Sequence, residues 1–396
     1  MAGVSVSAPS AGPTAGAKAP EAGAGSPRAA PSRRPPPGRP TLIFPAILAL
    51  LAGLYAGLAR VGWGLPPLTS SLAAAHGPLM IGGFLGTGIG LERAVALGRR
   101  AGFVFPALTG VGALALVAGV PGPWAAILIM AGSGGLLGAS IGITVRQPAL
   151  HHVTLALGAL AWLGGNVLWL AGWPVFRVVP WWIAFLVLTI AGERLELSRV
   201  LFLPRAARLA FGGMVAALLA GIALTTVAPA AGARLEGLAL LATALWLLAN
   251  DVARRTVRQA GLTRFIAAAM LSGYVWLAAG GALLAVEAAS LVGGPPYDAA
   301  LHAVFVGFVF SMIFGHAPII LPAVLRVVVR YGPLFYAHLA LLHLSLVLRV
   351  GGDLGGWWEL RRWGALLNVA AILLFVATTV RGIRRGAAAA SGHRAS

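Results

Sequence analysis

The sequence predicts an all-α integral membrane protein, a polytopic bundle of about twelve transmembrane helices. Hydrophobic residues make up 59% of the 396 residues and charged residues only 10%, with a mean hydropathy of +0.89. A soluble domain carries about 25% charged residues. The apolar runs are continuous over about 20 residues, the length of a helix that crosses a bilayer, whereas strands of a membrane barrel alternate over about 10 residues.

Composition divides the chain into three regions. Residues 1–40 are rich in Ala, Gly, Pro and Ser and carry basic residues, which is typical of a disordered basic tail. Residues 41–385 form the predicted transmembrane helical domain, and residues 386–396 are predicted to be a second disordered tail. The apolar runs of the middle region lie near 42–60, 72–91, 101–120, 122–144, 149–171, 175–192, 207–228, 237–250, 265–289, 299–324, 333–350 and 363–381.

The basic residues predict the orientation. With both termini in the cytoplasm, 23 of the 29 Lys and Arg residues lie on the cytoplasmic side, as the positive-inside rule requires. We therefore expect a multi-pass protein of the inner (plasma) membrane, with the lipid bilayer as its surroundings and cytoplasmic N and C termini. The formal charge of +19 is then a topology signal, so nucleic acid is not expected as a partner.

Several function classes lack their sequence signals. The chain has no Cys, so disulfides and thiolate metal sites are excluded. The sequence also lacks the Gly-Lys-Ser/Thr phosphate loop, HExxH and GxSxG. This argues against nucleotide-driven pumps and against the hydrolases that use those motifs.

Two histidines share a depth in the predicted bundle. His76 opens the Gly-rich run HGPLMIGGFLGTGIG, and His302 opens HAVFVGFVFSMIFGH. In the predicted topology both runs begin on the outer side. A pair of neutral imidazoles at one depth is a natural set of axial ligands for haem iron, so His76 and His302 are the predicted haem ligands. The alternative is that each ring only hydrogen-bonds a nearby carbonyl.

Three further histidines and one arginine are candidates at other depths. His316, His338 and His343 count to similar depths near the cytoplasmic side, which is consistent with an inner metal site, with a proton path or with packed polar groups. Arg349 lies near the outer end of the eleventh run. It is expected either to pair with a haem propionate or to extend towards the interface.

Two stretches carry a resemblance to a known family. The second run has His76, Met80, Gly83 and Phe84. The tenth run has His302-Ala303, Gly307, Ser311-Met312-Ile313 and Gly315. Their spacings resemble those of the NnrS family, haem- and copper-containing membrane proteins linked to nitric oxide metabolism and tolerance. The layout of spans and histidines is also similar, more distantly, to the catalytic subunit of haem-copper oxidases.

The resemblance implies a haem-copper-oxidase-like arrangement of the helices. It implies haem as a cofactor near His76, His302 and Met80, copper as a second metal, and nitric oxide or a quinol as a partner. The chain departs from the pattern at Pro78, where the family tends to have a second His. Residues 175–192 and 207–228 contain no His, so the copper ligands of an oxygen reductase are missing.

The expected function is that of an NnrS-like haem-binding protein of nitric oxide metabolism or tolerance. One alternative is a haem-free secondary transporter with twelve spans, which would favour symmetry between the two halves of the chain. The other is a quinol-linked nitric oxide reductase, an oxidoreductase. Its second metal would need ligands from His316, His338 and His343.

Overall fold

The computed structural model describes residues 39–66, 68–287 and 293–392. Within these ranges the chain forms helices and no strands, and twelve helices are long and apolar enough to cross a membrane. The predicted all-α membrane bundle is therefore confirmed. The helices are α1 Thr41–Arg60, α2 His76–Leu97, α3 Arg100–Val117, α4 Trp124–Arg146, α5 Leu150–Leu170, α6 Val175–Leu197, α7 Arg205–Leu224, α8 Pro229–Asn250, α9 Gly261–Val286, α10 Pro295–Leu325, α11 Phe335–Gly355 and α12 Trp358–Ala388.

Two predicted boundaries differ from the structure. Helix α8 begins at Pro229 and not near residue 237, because Arg234 and Glu236 interrupt the apolar run within its first turns. The helical segment of α12 continues to Gly392, beyond residue 386 where the second tail was predicted to begin. The predicted N-terminal tail, up to residue 38, and residues 393–396 lie outside the described residues.

Helices α2 and α10 share an unusual feature. Each contains an eight-residue π-helical segment, Leu79–Gly86 in α2 and Ala303–Phe310 in α10. A π-helical turn holds one extra residue, and such turns occur frequently at functional sites. In both helices the segment lies within a few residues of a candidate haem ligand, His76 or His302.

Helices that follow each other in the chain mostly pack as neighbours, and the first and last helices also contact each other. Helix α9 packs against α8 and α10, and α1 packs against α2, α3 and α12. Helices α6 and α10 are the most buried spans. We call the end of the bundle where α1 ends and α2 begins the cavity end, and the other the far end.

A candidate ligand cavity lined by two histidines

A cavity of about 640 Å³ lies at the cavity end, between α1, α2, α6, α10, α11 and α12. Ligand sites in proteins usually measure roughly 300–1,000 Å³ and have mostly apolar walls with a few polar groups. The lining side chains on α12 extend from Arg361 to Ile372, about 16 Å of helix at roughly 1.5 Å per residue. The space therefore suits one large, mostly apolar ligand.

His302 is held by the first turn of its own helix. Its Nδ1 lies 2.8 Å from the carbonyl oxygen of Asp298 and 3.4 Å from the carboxylate Oδ2 of the same residue. The carbonyl oxygen accepts a hydrogen bond, so Nδ1 carries the proton and donates, and the carboxylate places a negative charge beside it. The other ring nitrogen, Nε2, is left without a proton in the neutral ring and can bind a metal.

His76 is held by a neighbouring helix. Its Nδ1 lies 2.7 Å from the carbonyl oxygen of Gly53 in α1. The ring sits against Gly57, where an added Cβ would lie 3.0 Å from Cε1 and 3.2 Å from Nδ1. Small residues one turn apart let another helix approach closely, and here Gly53 and Gly57 make room for the imidazole.

The two histidines line the same cavity in the same chemical state. In each, Nδ1 donates its proton in a hydrogen bond to a carbonyl oxygen, so Nε2 of the neutral ring is unprotonated. Metal-ligating histidines are almost always oriented in this way, by a hydrogen bond from the other ring nitrogen. Two imidazoles in a mostly apolar cavity are a donor set that fits haem iron.

Met80 also lines the cavity, one helical turn after His76. Its side chain packs against α1, because a Cβ at Gly53 would lie 2.6 Å from Sδ. Thus α1 contacts both potential ligands on α2 through one pair of glycines. The assignment of Met80 to cofactor binding stays a prediction.

Charged groups form one wall of the cavity. Arg349 lines it, as an anion-binding role requires, and donates to Asp298 Oδ2 from Nη2 at 2.9 Å and from Nε at 3.3 Å. Arg361 lies 3.5 Å from the same oxygen and 2.9 Å from Asp353 Oδ1. Arg60 lines the cavity as well.

Sequence reasoning missed three of these polar residues. Asp298 stands four residues before His302, a spacing that places both on one helix face and was a usable signal. Arg361 entered the sequence analysis only as one of the basic residues predicted to lie on the outer side. Asn368 lines the cavity too, and no sequence pattern distinguished it.

The amide nitrogen of Asn368 is fixed by a hydrogen bond to α11. Its Nδ2 donates to Ser345 Oγ at 2.6 Å, and that hydroxyl donates to the Leu342 carbonyl at 3.0 Å. Since the serine proton is used, the amide nitrogen must face Ser345, which orients Oδ1 the other way. This buried oxygen has no hydrogen-bond partner among the described residues.

The three inner histidines do not come together. His316 Nδ1 donates to the Met312 carbonyl at 2.8 Å, and its Nε2 lies 3.5 Å from Arg194. His338 packs among phenylalanine rings, the nearest being Phe314 with ring centroids 4.8 Å apart. His343 Nδ1 accepts a hydrogen bond from Trp276 at 3.0 Å.

The predicted inner metal site therefore has to be corrected. In the part of the chain that the structure describes, no group of three or more His, Asp or Glu side chains is placed to hold a metal ion. Copper has no ligand set of that size there. The physical reason is that His316, His338 and His343 point at different neighbours although they share a depth.

His316 instead borders a buried ion pair. Arg194 donates to both carboxylate oxygens of Asp251 at 2.7 Å, and Tyr274 donates to the same carboxylate at 2.8 Å. All three residues are buried. The network ties α6, α9 and the end of α8 together, which is a structural role.

Residues 39–384 match the model of a family described as a domain of unknown function, DUF8744. No curated protein and no solved structure matches the chain. The family match covers nearly the whole helical domain, including every lining residue of the cavity.

Proposed function

We propose that this chain, which belongs to the DUF8744 family, is a haem-binding membrane protein with an NnrS-like role in nitric oxide metabolism or tolerance. The proposal rests on the shared position and hydrogen bonding of His76 and His302. Both line one cavity, and both have Nδ1 bound to a carbonyl oxygen and Nε2 free. The link to nitric oxide rests on the resemblance of α2 and α10 to the NnrS family.

The histidines, the arginines and the apolar side chains of the cavity would have different roles in binding haem. His76 and His302 would hold the iron, and Arg349 and Arg361 would bind the carboxylates of the haem. The apolar walls exclude water, which strengthens the arginine contacts with those carboxylates. When bound, haem supplies an iron that changes oxidation state and takes small ligands such as nitric oxide.

We place the protein in the plasma membrane with both termini in the cytoplasm. The excess of Arg at the far end supports this orientation under the positive-inside rule. The cavity end then faces outward, so small molecules would reach the cavity from the outer side.

An optical spectrum of the purified protein tests the proposal. We expect a Soret band and, after reduction with dithionite, the sharp visible bands of six-coordinate haem. His76→Ala and His302→Ala should each remove that six-coordinate spectrum. His152→Ala is the matched control, because its Nδ1 also lies 2.7 Å from a carbonyl oxygen, that of Gln147, but it does not line the cavity. A colourless protein expressed with ample haem would refute the proposal.

A haem-free secondary transporter is the second candidate, and one residue favours it. Glu236 in α8 is buried, with 1% of its surface exposed, and its Oε1 has no hydrogen-bond partner within the described ranges. Ionisable residues inside a bundle often mark ion or proton pathways. A colourless protein whose substrate uptake is abolished by Glu236→Gln would establish this alternative. The reductase alternative loses its support, because it required the inner histidines to form a metal site.

A further inference from the structure

The two cavity histidines are held unequally. The ring of His302 faces a carboxylate as well as a carbonyl, since Asp298 Oδ2 lies 3.4 Å from its Nδ1. Among the described residues, the ring of His76 has the Gly53 carbonyl as its one hydrogen-bond acceptor, at 2.7 Å. A carboxylate beside Nδ1–H withdraws the proton further and makes Nε2 a stronger donor to a metal than a carbonyl alone does.

The carboxylate of Asp298 is itself firmly positioned. Arg349 donates two hydrogen bonds to Oδ2, and Arg361 lies 3.5 Å from the same atom. Asp298 stands on the same helix as His302, so the ring and its acceptors move as one unit. These contacts hold His302 in one orientation.

The position of His76 depends on two helices. Its acceptor is on α1, while the ring is the first residue of α2. A small shift between α1 and α2 would therefore change both the hydrogen bond and the contact with Gly57. Compared with His302, this ring has the weaker acceptor set and the less direct support.

We propose that His302 is the haem ligand that would be retained, that Asp298 is its positioning residue, and that His76 is the ligand that an incoming small molecule would displace. The inference rests on the proposed haem site.

Haem retention in the single histidine variants gives the first test. We expect His76→Ala to keep its haem as a five-coordinate species. Added imidazole should return this haem to six-coordination. The reduced variant should bind carbon monoxide at least tenfold faster than the reduced parent. We expect His302→Ala to lose most of its haem during purification. Equal retention in the two variants, or better retention in His302→Ala, would overturn the assignment.

A vibrational measurement tests the role of Asp298 separately. In the reduced His76→Ala protein, the stretching frequency between iron and His302 can be read by resonance Raman spectroscopy. Adding Asp298→Asn should lower that frequency, because the neutral amide removes the negative charge that lies 3.4 Å from Nδ1. Adding Glu359→Gln should leave it unchanged, because the Glu359 carboxylate is 67% exposed, pairs with Arg362 at 2.9 Å and does not line the cavity.

The outcomes distinguish the positioning role of Asp298 from haem binding itself. An unchanged frequency in the Asp298→Asn variant would refute the positioning role and leave haem binding intact. A parent protein without haem would refute the proposed function itself. Haem content measured on each variant ensures that frequencies are compared only between folded, loaded proteins.

Discussion

Phe84 and Phe310 stack on each other, with ring centroids 6.0 Å apart and ring planes at 22°. Each lies eight residues after a cavity histidine, Phe84 after His76 and Phe310 after His302. Phe310 also lines the cavity. The π-helical segments of α2 and α10 therefore converge on a shared aromatic contact at the border of the cavity.

We expect Phe310→Ala to destabilise the protein by up to about 3 kcal/mol, the lower end of the range for buried Phe→Ala changes. The lower end applies because lipid chains are as apolar as the ring, so only packing is lost. Phe310 is 2% exposed. The measurement is the thermal unfolding midpoint in detergent, followed by tryptophan fluorescence.

Phe44→Ala is the control for that experiment, since Phe44 is 65% exposed on α1. Its removal should leave the unfolding midpoint close to that of the parent. Equal midpoints for the two variants would mean that the Phe84–Phe310 contact does not stabilise the bundle.

The number of spans was predictable from the sequence because continuous apolar runs report helix length directly. Direction around each helix was not, and this is why His316, His338 and His343 were grouped wrongly. Successive residues turn by about 100° on an α-helix, and the π-helical segment of α10 changes the direction of every residue after it.

The polar contacts around the cavity could be identified only once it was known which helices are neighbours. Asp298 meets Arg349 and Arg361 only because α10 lies beside α11 and α12. The ion pair of Arg194 with Asp251 likewise joins residues 57 positions apart. Apolar periodicity does not encode such neighbour relations, so these contacts needed the structure.

Gly57→Ala should weaken the hold on His76. The new Cβ would lie 3.0 Å from the ring, which must move away from the Gly53 carbonyl. Loss of that hydrogen bond costs about 1 kcal/mol. This corresponds to a roughly fivefold smaller equilibrium constant for the binding of His76 to the haem iron. The optical spectrum should show a smaller fraction of six-coordinate haem.

Gly138→Ala is the matched control for Gly57→Ala. It lies in α4, and a Cβ there would meet nothing within 4 Å among the described residues. We expect its spectrum to equal that of the parent. If Gly57→Ala also matched the parent, the tight gap around His76 would have no role in ligation.

Arg194→Met should destabilise the protein by about 3–5 kcal/mol, because it leaves the carboxylate of Asp251 buried without its cation. The side chain of Asp251 is fully buried and that of Arg194 is 5% exposed. The unfolding midpoint in detergent measures the effect. Arg199→Met is the control, since Arg199 is 64% exposed and pairs with Glu196 at 3.2 Å. Such a surface pair contributes about 0–1 kcal/mol, so similar losses in both variants would contradict the structural role of the buried pair.

Single introduced cysteines should reveal the orientation in the membrane, because the natural chain has none. Ser70 is exposed at the cavity end, between α1 and α2, and Gln259 is exposed at the far end, between α8 and α9. A membrane-impermeant maleimide added to intact cells should label Ser70→Cys and spare Gln259→Cys until the membrane is permeabilised. The physical reason is the surplus of Arg at the far end, which favours the cytoplasmic side. The reverse labelling pattern would place the cavity on the cytoplasmic side, and small ligands would then have to reach His76 and His302 from within the cell.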